Sequence, residues 1–185
     1  MKFFLTLILL LNVLKVEAQN YEWRPIIPGI DCTDSSYNTC AIGLLVPDTF
    51  HNVLWMLGRF EGAAGISSSI AVGYDATNWV AFPGAYGSSR FSNTLCAMMY
   101  NGNLVVGKSD GVDMFDFVSH SWTTIGIGVG SCLGTYNGDL IVGGNGIARW
   151  DGTQWYPLGN GITGSNHVVY CTKEYNGKLY AGGLV

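Results

Sequence analysis

The chain has 185 residues, 48% hydrophobic and only 12% charged, with 26 glycines and a formal net charge of −4. Such a profile excludes an intrinsically disordered chain, which needs low hydrophobicity and high charge. Many glycines among few charges favour short strands and tight turns over helices, because glycine weakens a helix interior.

Residues 1–18 read as a secretory signal. Lys2 precedes an apolar run from Phe3 to Leu11, and Val16-Glu17-Ala18 puts small residues where a signal peptidase reads, so cleavage is expected before Gln19. The competing reading is an uncleaved anchor, but the run is short for a bilayer span. No later segment approaches such a span, so no membrane insertion is expected after cleavage. Loss of Lys2, Lys15 and Glu17 leaves 7 basic and 12 acidic residues, a charge of −5. With no basic run, nucleic acid is not an expected partner.

Next in the chain, the segment from Trp23 (WRPIIPG) resembles that from Trp155 (WYPLGNG) and reads as a lone strand. Cys32 and Cys40 follow, separated by seven residues in a Ser/Thr/Asp/Asn-rich stretch. In an exported chain that spacing predicts a local disulfide.

From Phe50 onward the chain is periodic. YNGNLVVGK at Tyr100, YNGDLIVGG at Tyr136 and YNGKLYAGG at Tyr175 nearly coincide, spaced by 36 and 39 residues. An eroded copy, FHNVLWMLG, begins at Phe50, with Asn52-Val53 in place of Asn-Gly. Between these copies an aromatic-Asp pair precedes a tryptophan: Tyr74-Asp75 and Trp79, Phe115-Asp116 and Trp122, Trp150-Asp151 and Trp155. Repeats of this length make periodicity the first evidence for fold.

One unit reads as four strands. The first leads into Tyr136, and Asn137-Gly138 predicts a two-residue type I′ hairpin turn. Leu140–Val142 is the second strand, ended by Gly143-Gly144. Ile147–Trp150 is the third, and Asp151-Gly152 marks another turn. Trp155–Leu158 is the fourth. No window carries a helical period. Four short antiparallel strands in about 40 residues predict a β-propeller blade.

Asp75, Asp116 and Asp151 are expected to accept backbone hydrogen bonds in their turns rather than to bind calcium. The tryptophans are expected to pack between blades. Cys96, Cys132 and Cys171 each stand four residues before a repeat tyrosine, and are expected as free thiols buried on the inner strand. A metal ring is the alternative, but no histidine or carboxylate accompanies them in register.

The glycine pairs followed by an aromatic and a tryptophan resemble kelch-type propeller repeats. The pattern is closer to the YNGxLYVGG…IARWDGxxWxxLG repeats of secreted proteins from Bacteroidota-like bacteria. The resemblance covers about Trp23 to Val185 and implies an outer-surface or secreted location. It implies nothing specific about function, since such propellers serve as adhesins, scaffolds, sugar binders and enzymes.

The expected fold is therefore all-β: a propeller of four-stranded antiparallel blades over residues 19–185, about three and a half of them present. Complete blades end near Pro83, Ile125 and Leu158. The fourth stops after Gly182-Gly183, so the domain is expected to be incomplete at its C-terminus, with a four-bladed closure as the other reading.

His51, His120 and His167 occupy different places in the repeat, and none shows metal or triad spacing. No phosphate loop or GxSxG is present, so no catalytic residue, metal or cofactor is assigned. Two loops, Arg59–Ser69 and Ala85–Asn93, are longer than the repeat requires. Tyr86, Arg90 and Phe91 of the second form the candidate ligand contacts, loops being where scaffolds carry function. The expected function is a non-catalytic exported module that binds a glycan or protein. The alternative is part of an exported enzyme acting on glycans.

Overall fold

A computed structural model describes residues 30–31, 41–60, 62–68, 71–84, 93–159, 161–162 and 167–184. Every extended element among them is a β-strand, and every pairing is antiparallel. After β1 (Ile30–Asp31) come β2 (Ala41–Asp48), β3 (Val53–Arg59), β4 (Gly62–Ala63), β5 (Ile66–Ser67), β6 (Ala71–Tyr74) and β7 (Trp79–Ala81). Strands β2-β3-β6-β7 form sheet I, while β1-β4-β5 make a small separate sheet. Sheet II follows in simple order as β8 (Thr94–Tyr100), β9 (Asn103–Lys108), β10 (Gly111–Asp116) and β11 (Ser121–Ile127). Sheet III is β12 (Cys132–Tyr136), β13 (Asp139–Gly144), β14 (Gly146–Trp150) and β15 (Trp155–Pro157). A hairpin of β16 (Val168–Tyr175) and β17 (Lys178–Leu184) ends the described chain.

Turn chemistry explains the short connections. Asn137 and Gly138 have φ of 51° and 86°, and Asn101-Gly102 and Asn176-Gly177 match them. These are the paired positive φ values that a type I′ turn demands. Sheet I departs from this. Asp48 pairs with Val53 across a four-residue connection, where Tyr100 pairs with Asn103 across two. Asn52 alone takes a positive φ of 57°. The two extra residues displace the expected copy: Asp48 holds the place of the repeat tyrosine, and Phe50 lies in the turn. The long connection from Arg59 to Ser69, expected as an irregular loop, contains the β4–β5 hairpin. Its Ala63, with Phe60, covers Met56 and Val72 of sheet I.

Register sorts each sheet into two faces, since side chains alternate along a strand. One face of sheet I (Val46, Trp55, Leu57) packs against Leu104, Val106 and Phe115 of sheet II, with Phe82 and Trp122 closing the layer. The opposite face of sheet II (Tyr100, Val105, Val112) packs against Leu140, Val142, Trp150 and Trp155 of sheet III. Fully burying each such side chain contributes about 1.5–3 kcal/mol. The first strands β2, β8, β12 and β16 run beside one another in succession. Tyr100 Oη donates to Gly138 O at 3.1 Å, and Tyr136 Oη to Gly177 O at 3.3 Å, so each tyrosine tethers the turn of the following unit.

Candidate functional site

The three cysteines ahead of the repeat tyrosines show how stacking controls chemistry. Cys96 pairs across the strands with Gly107, Cys132 with Gly143 and Cys171 with Gly182. A Cβ at Gly107 or Gly143 would run into the facing sulfur and into the next unit, so the cysteine–glycine pairing makes room for a close neighbour. Cys96 Sγ donates to Gly130 O at 3.3 Å and Cys132 Sγ to Val169 O at 3.7 Å. Burial pushes the Cys96 thiol up to about 12, and the Cys132 thiol upward as well. Both therefore stay protonated at neutral pH and are poor nucleophiles. Cys171 corrects the expectation of a buried ladder. It is a free thiol, but exposed, because no further sheet covers its face among the described residues.

The β6–β7, β10–β11 and β14–β15 connections share one device. Asp75 Oδ1 accepts from the N–H groups of Thr77 and Asn78, Asp116 Oδ1 from Val118 and Ser119, and Asp151 Oδ1 from Thr153 and Gln154. These are Asx turns, as the sequence suggests. The Asp151–Gln154 connection is four residues long, since Trp150 pairs with Trp155. Backbone donation from Gln154, followed by the Thr153 hydroxyl and N–H, lowers Asp151 to about 2. Asp75 is lowered chiefly by the Asn78 N–H, and Asp116 chiefly by that of Ser119.

A carboxyl depressed by folding adds stability that is complete above its unfolded value and lost as pH falls through its folded value. Thermal stability is therefore expected to hold from pH 7 to 5 and to fall between about pH 4 and 2. Scanning calorimetry across that range checks this. Asp151→Asn should flatten the acid limb, and an unchanged limb would remove these turns from the explanation.

The most built polar cluster lies at the turn end of sheet I. The Asp48 carboxylate, only 2% exposed, accepts from Phe50 N at 3.1 Å, His51 N at 2.9 Å and Trp55 Nε1 at 2.9 Å. Nδ1 of His51 donates to Asp48 Oδ2 at 2.6 Å. Burial alone would raise the Asp48 carboxyl, but these donors outweigh it and hold the group below its ordinary range. With Nδ1 committed, Nε2 is the ring nitrogen left for another partner, on a side chain that is 31% exposed. Phe50 meets the imidazole edge-on at 4.9 Å, and Phe117, from the β10–β11 connection, lies 4.5 Å away. Phe117 in turn stacks on Trp55 at 5.6 Å. Phe50, against this oriented imidazole, is 79% exposed, and Val118, next to Phe117 in the chain, is 94% exposed.

The arrangement can offer one fixed hydrogen-bonding nitrogen within an aromatic surface. No nucleophile accompanies it among the described contacts, and no three metal-ligating side chains come together among the described residues. The residues singled out from sequence, Cys32, Cys40, Tyr86, Arg90 and Phe91, all lie outside the described residues, as does the expected signal segment. Sequence reasoning missed the Asp48–His51 pair. The available signal was the Asp-x-x-His spacing with Trp55 downstream, but assigning Phe50 to a strand pulled His51 away from Asp48.

A second buried pair sits in sheet II. Lys108 occupies the place of Gly144, and its Nζ lies 3.0 Å from Asp113 Oδ2 and 3.6 Å from Asp110 Oδ1. Asp113 is fully buried and also accepts from Thr124 Oγ1 at 2.7 Å. These partners lie in sheet II and its β9–β10 turn, where they anchor the sheet.

No family model matches this chain, and no curated protein is significantly similar to it.

Proposed function

We propose that this chain is an exported, non-catalytic β-propeller module of kelch-like blades, which binds a glycan or a protein at the loop rim. In that reading sheets I to III are complete blades, and the β16–β17 hairpin is the inner half of a fourth. Face-to-face stacking of successive sheets, with their first strands side by side, supports it. Secretion is supported by the N-terminal residues alone.

The observation that carries the binding role is Phe50. Phe50 touches the fold through the edge of the His51 ring yet keeps 79% of its surface exposed, leaving a large aromatic face within a partner's reach. Exposed aromatic surface with a fixed polar atom is what a sugar face or a protein hot spot requires.

The test is the secreted full chain on a glycan and matrix-protein array, followed by titration of whatever binds. Phe50→Ala and His51→Gln are each expected to weaken binding by about tenfold or more. Phe50→Ala should leave the thermal midpoint unchanged. No ligand on either array, or a ligand indifferent to both substitutions, sinks the proposal.

A further inference from the structure

Three connections meet around Phe50. Its ring lies 4.9 Å from the His51 imidazole, and Phe117 of the β10–β11 connection lies 4.5 Å from the same imidazole. A Cβ at Gly102, in the β8–β9 turn, would come within 3.8 Å of the Phe50 ring. Residues 48–53, 100–103 and 116–121 make these connections, and they carry two carboxylates, Asp48 and Asp116, but no lysine or arginine. Both carboxyls are held below their ordinary range, Asp48 against the opposing effect of its own burial and Asp116 chiefly by the Ser119 N–H. Both are therefore charged at neutral pH. Asp48 also fixes the His51 proton on Nδ1, so in the neutral ring Nε2 keeps its lone pair and accepts. The patch offers a largely exposed aromatic ring, one acceptor nitrogen and negative charge.

Sheet III shows what completes such a surface. There the Arg149 guanidinium lies 4.6 Å over the Tyr156 ring and pairs with the Asp139 carboxylate. Ring, carboxylate and guanidinium satisfy one another within the chain. Around Phe50 the three connections supply the ring and the carboxylates but no guanidinium.

We propose that Phe50 and His51 receive an arginine side chain of a partner protein, its guanidinium lying on the Phe50 ring and donating to His51 Nε2. This rests on the binding role given to Phe50 above and narrows it from glycan or protein to a basic polypeptide. A guanidinium is planar, so it stacks on a ring while its edge keeps N–H groups for an acceptor. It is also weakly hydrated, so leaving water costs it less than it costs an ammonium. The Phe50 and His51 rings are 4.9 Å apart, within the roughly 6 Å over which a cation is drawn to a ring, so one guanidinium can meet both. Asp48 and Asp116 make the local potential negative, which attracts a cation and repels an acidic sugar. A neutral sugar gains nothing from that charge.

The probe is a capped peptide, Ala-Val-Arg-Val-Ala, titrated into the isotopically labelled full chain and read by amide and imidazole NMR shifts. The control peptide carries citrulline, which has nearly the same shape without the charge. The arginine peptide is expected to bind at least about fivefold more tightly than the control, with shifts centred on Phe50 and His51. Phe50→Leu keeps an apolar side chain and removes the ring, so it should weaken the arginine peptide about fivefold and close most of the gap between the two. Asp116→Asn keeps a side-chain oxygen for its turn and removes the charge. It should weaken the arginine peptide by about twofold to threefold at low salt. Equal binding of the two peptides, shifts centred away from Phe50, or no binding overturns the arginine assignment. The glycan and matrix-protein array then separates the two levels. An array ligand that depends on Phe50 leaves the binding role standing without arginine, and the lack of any such ligand removes both.

Discussion

Asp48→Ala is expected to lower stability by about 3 kcal/mol, which for a domain of this size is a fall of roughly 10 °C in Tm. The carboxylate gathers four donors, and one of them, the Trp55 indole, is itself 2% exposed. Removing the acceptor leaves that N–H buried with no substitute. The N–H groups of Phe50 and His51 lie in an exposed turn and can turn to water, so the indole dominates the cost. Trp55→Phe removes only the donor and leaves the carboxylate its other three partners, so a smaller loss of about 1 kcal/mol is expected. Chemical denaturation of the three proteins checks the order. If Asp48→Ala proves no worse than Trp55→Phe, the cluster is not the anchor of this turn. Because the carboxyl is held below its ordinary range, the Asp48 contribution is present at neutral pH and lost as the solution is acidified.

Lys108→Met is expected to cost about 3–4 kcal/mol, because it leaves the fully buried Asp113 carboxylate without the ammonium 3.0 Å away. Asp113→Ala is expected to cost less, about 2 kcal/mol, because Lys108 retains Asp110 and a long stem that reaches water. The double variant should return to within about 1 kcal/mol of the parent, since a buried ion pair replaced by apolar groups is close to neutral. Sheet III supports this, using Gly144 and Ala148 at the matching positions of an otherwise similar register. A double-mutant cycle by denaturant melts measures the coupling. Additive single effects would show that the two charges are already satisfied independently.

Both results concern groups whose importance depends on neighbours distant in sequence. Asn-Gly dipeptides dictated type I′ turns because few other residues accept paired positive φ. The aromatic-Asp steps dictated Asx turns because a short carboxylate reaches the N–H groups two and three residues ahead. Strand positions followed from alternation and turn spacing, and their type did not depend on what lay beside them. Sheet I is the exception. There the four-residue connection Thr49–Asn52 broke the match at Phe50, and pattern alone had no means of counting residues in the turn.

The sequence by itself determined an all-β chain with three matched hairpins and their Asn-Gly turns, because those features rest on backbone preferences of one to four adjacent residues. Only the tertiary structure decided which thiols are inert. Cys96, Cys132 and Cys171 share one local pattern, but burial depends on whether a following sheet covers the face. Tertiary packing also decided that Asp48, His51 and Phe117 meet, and that Lys108 is neutralised inside sheet II. Desolvation and charge pairing are properties of the space between strands, and no local residue preference encodes them.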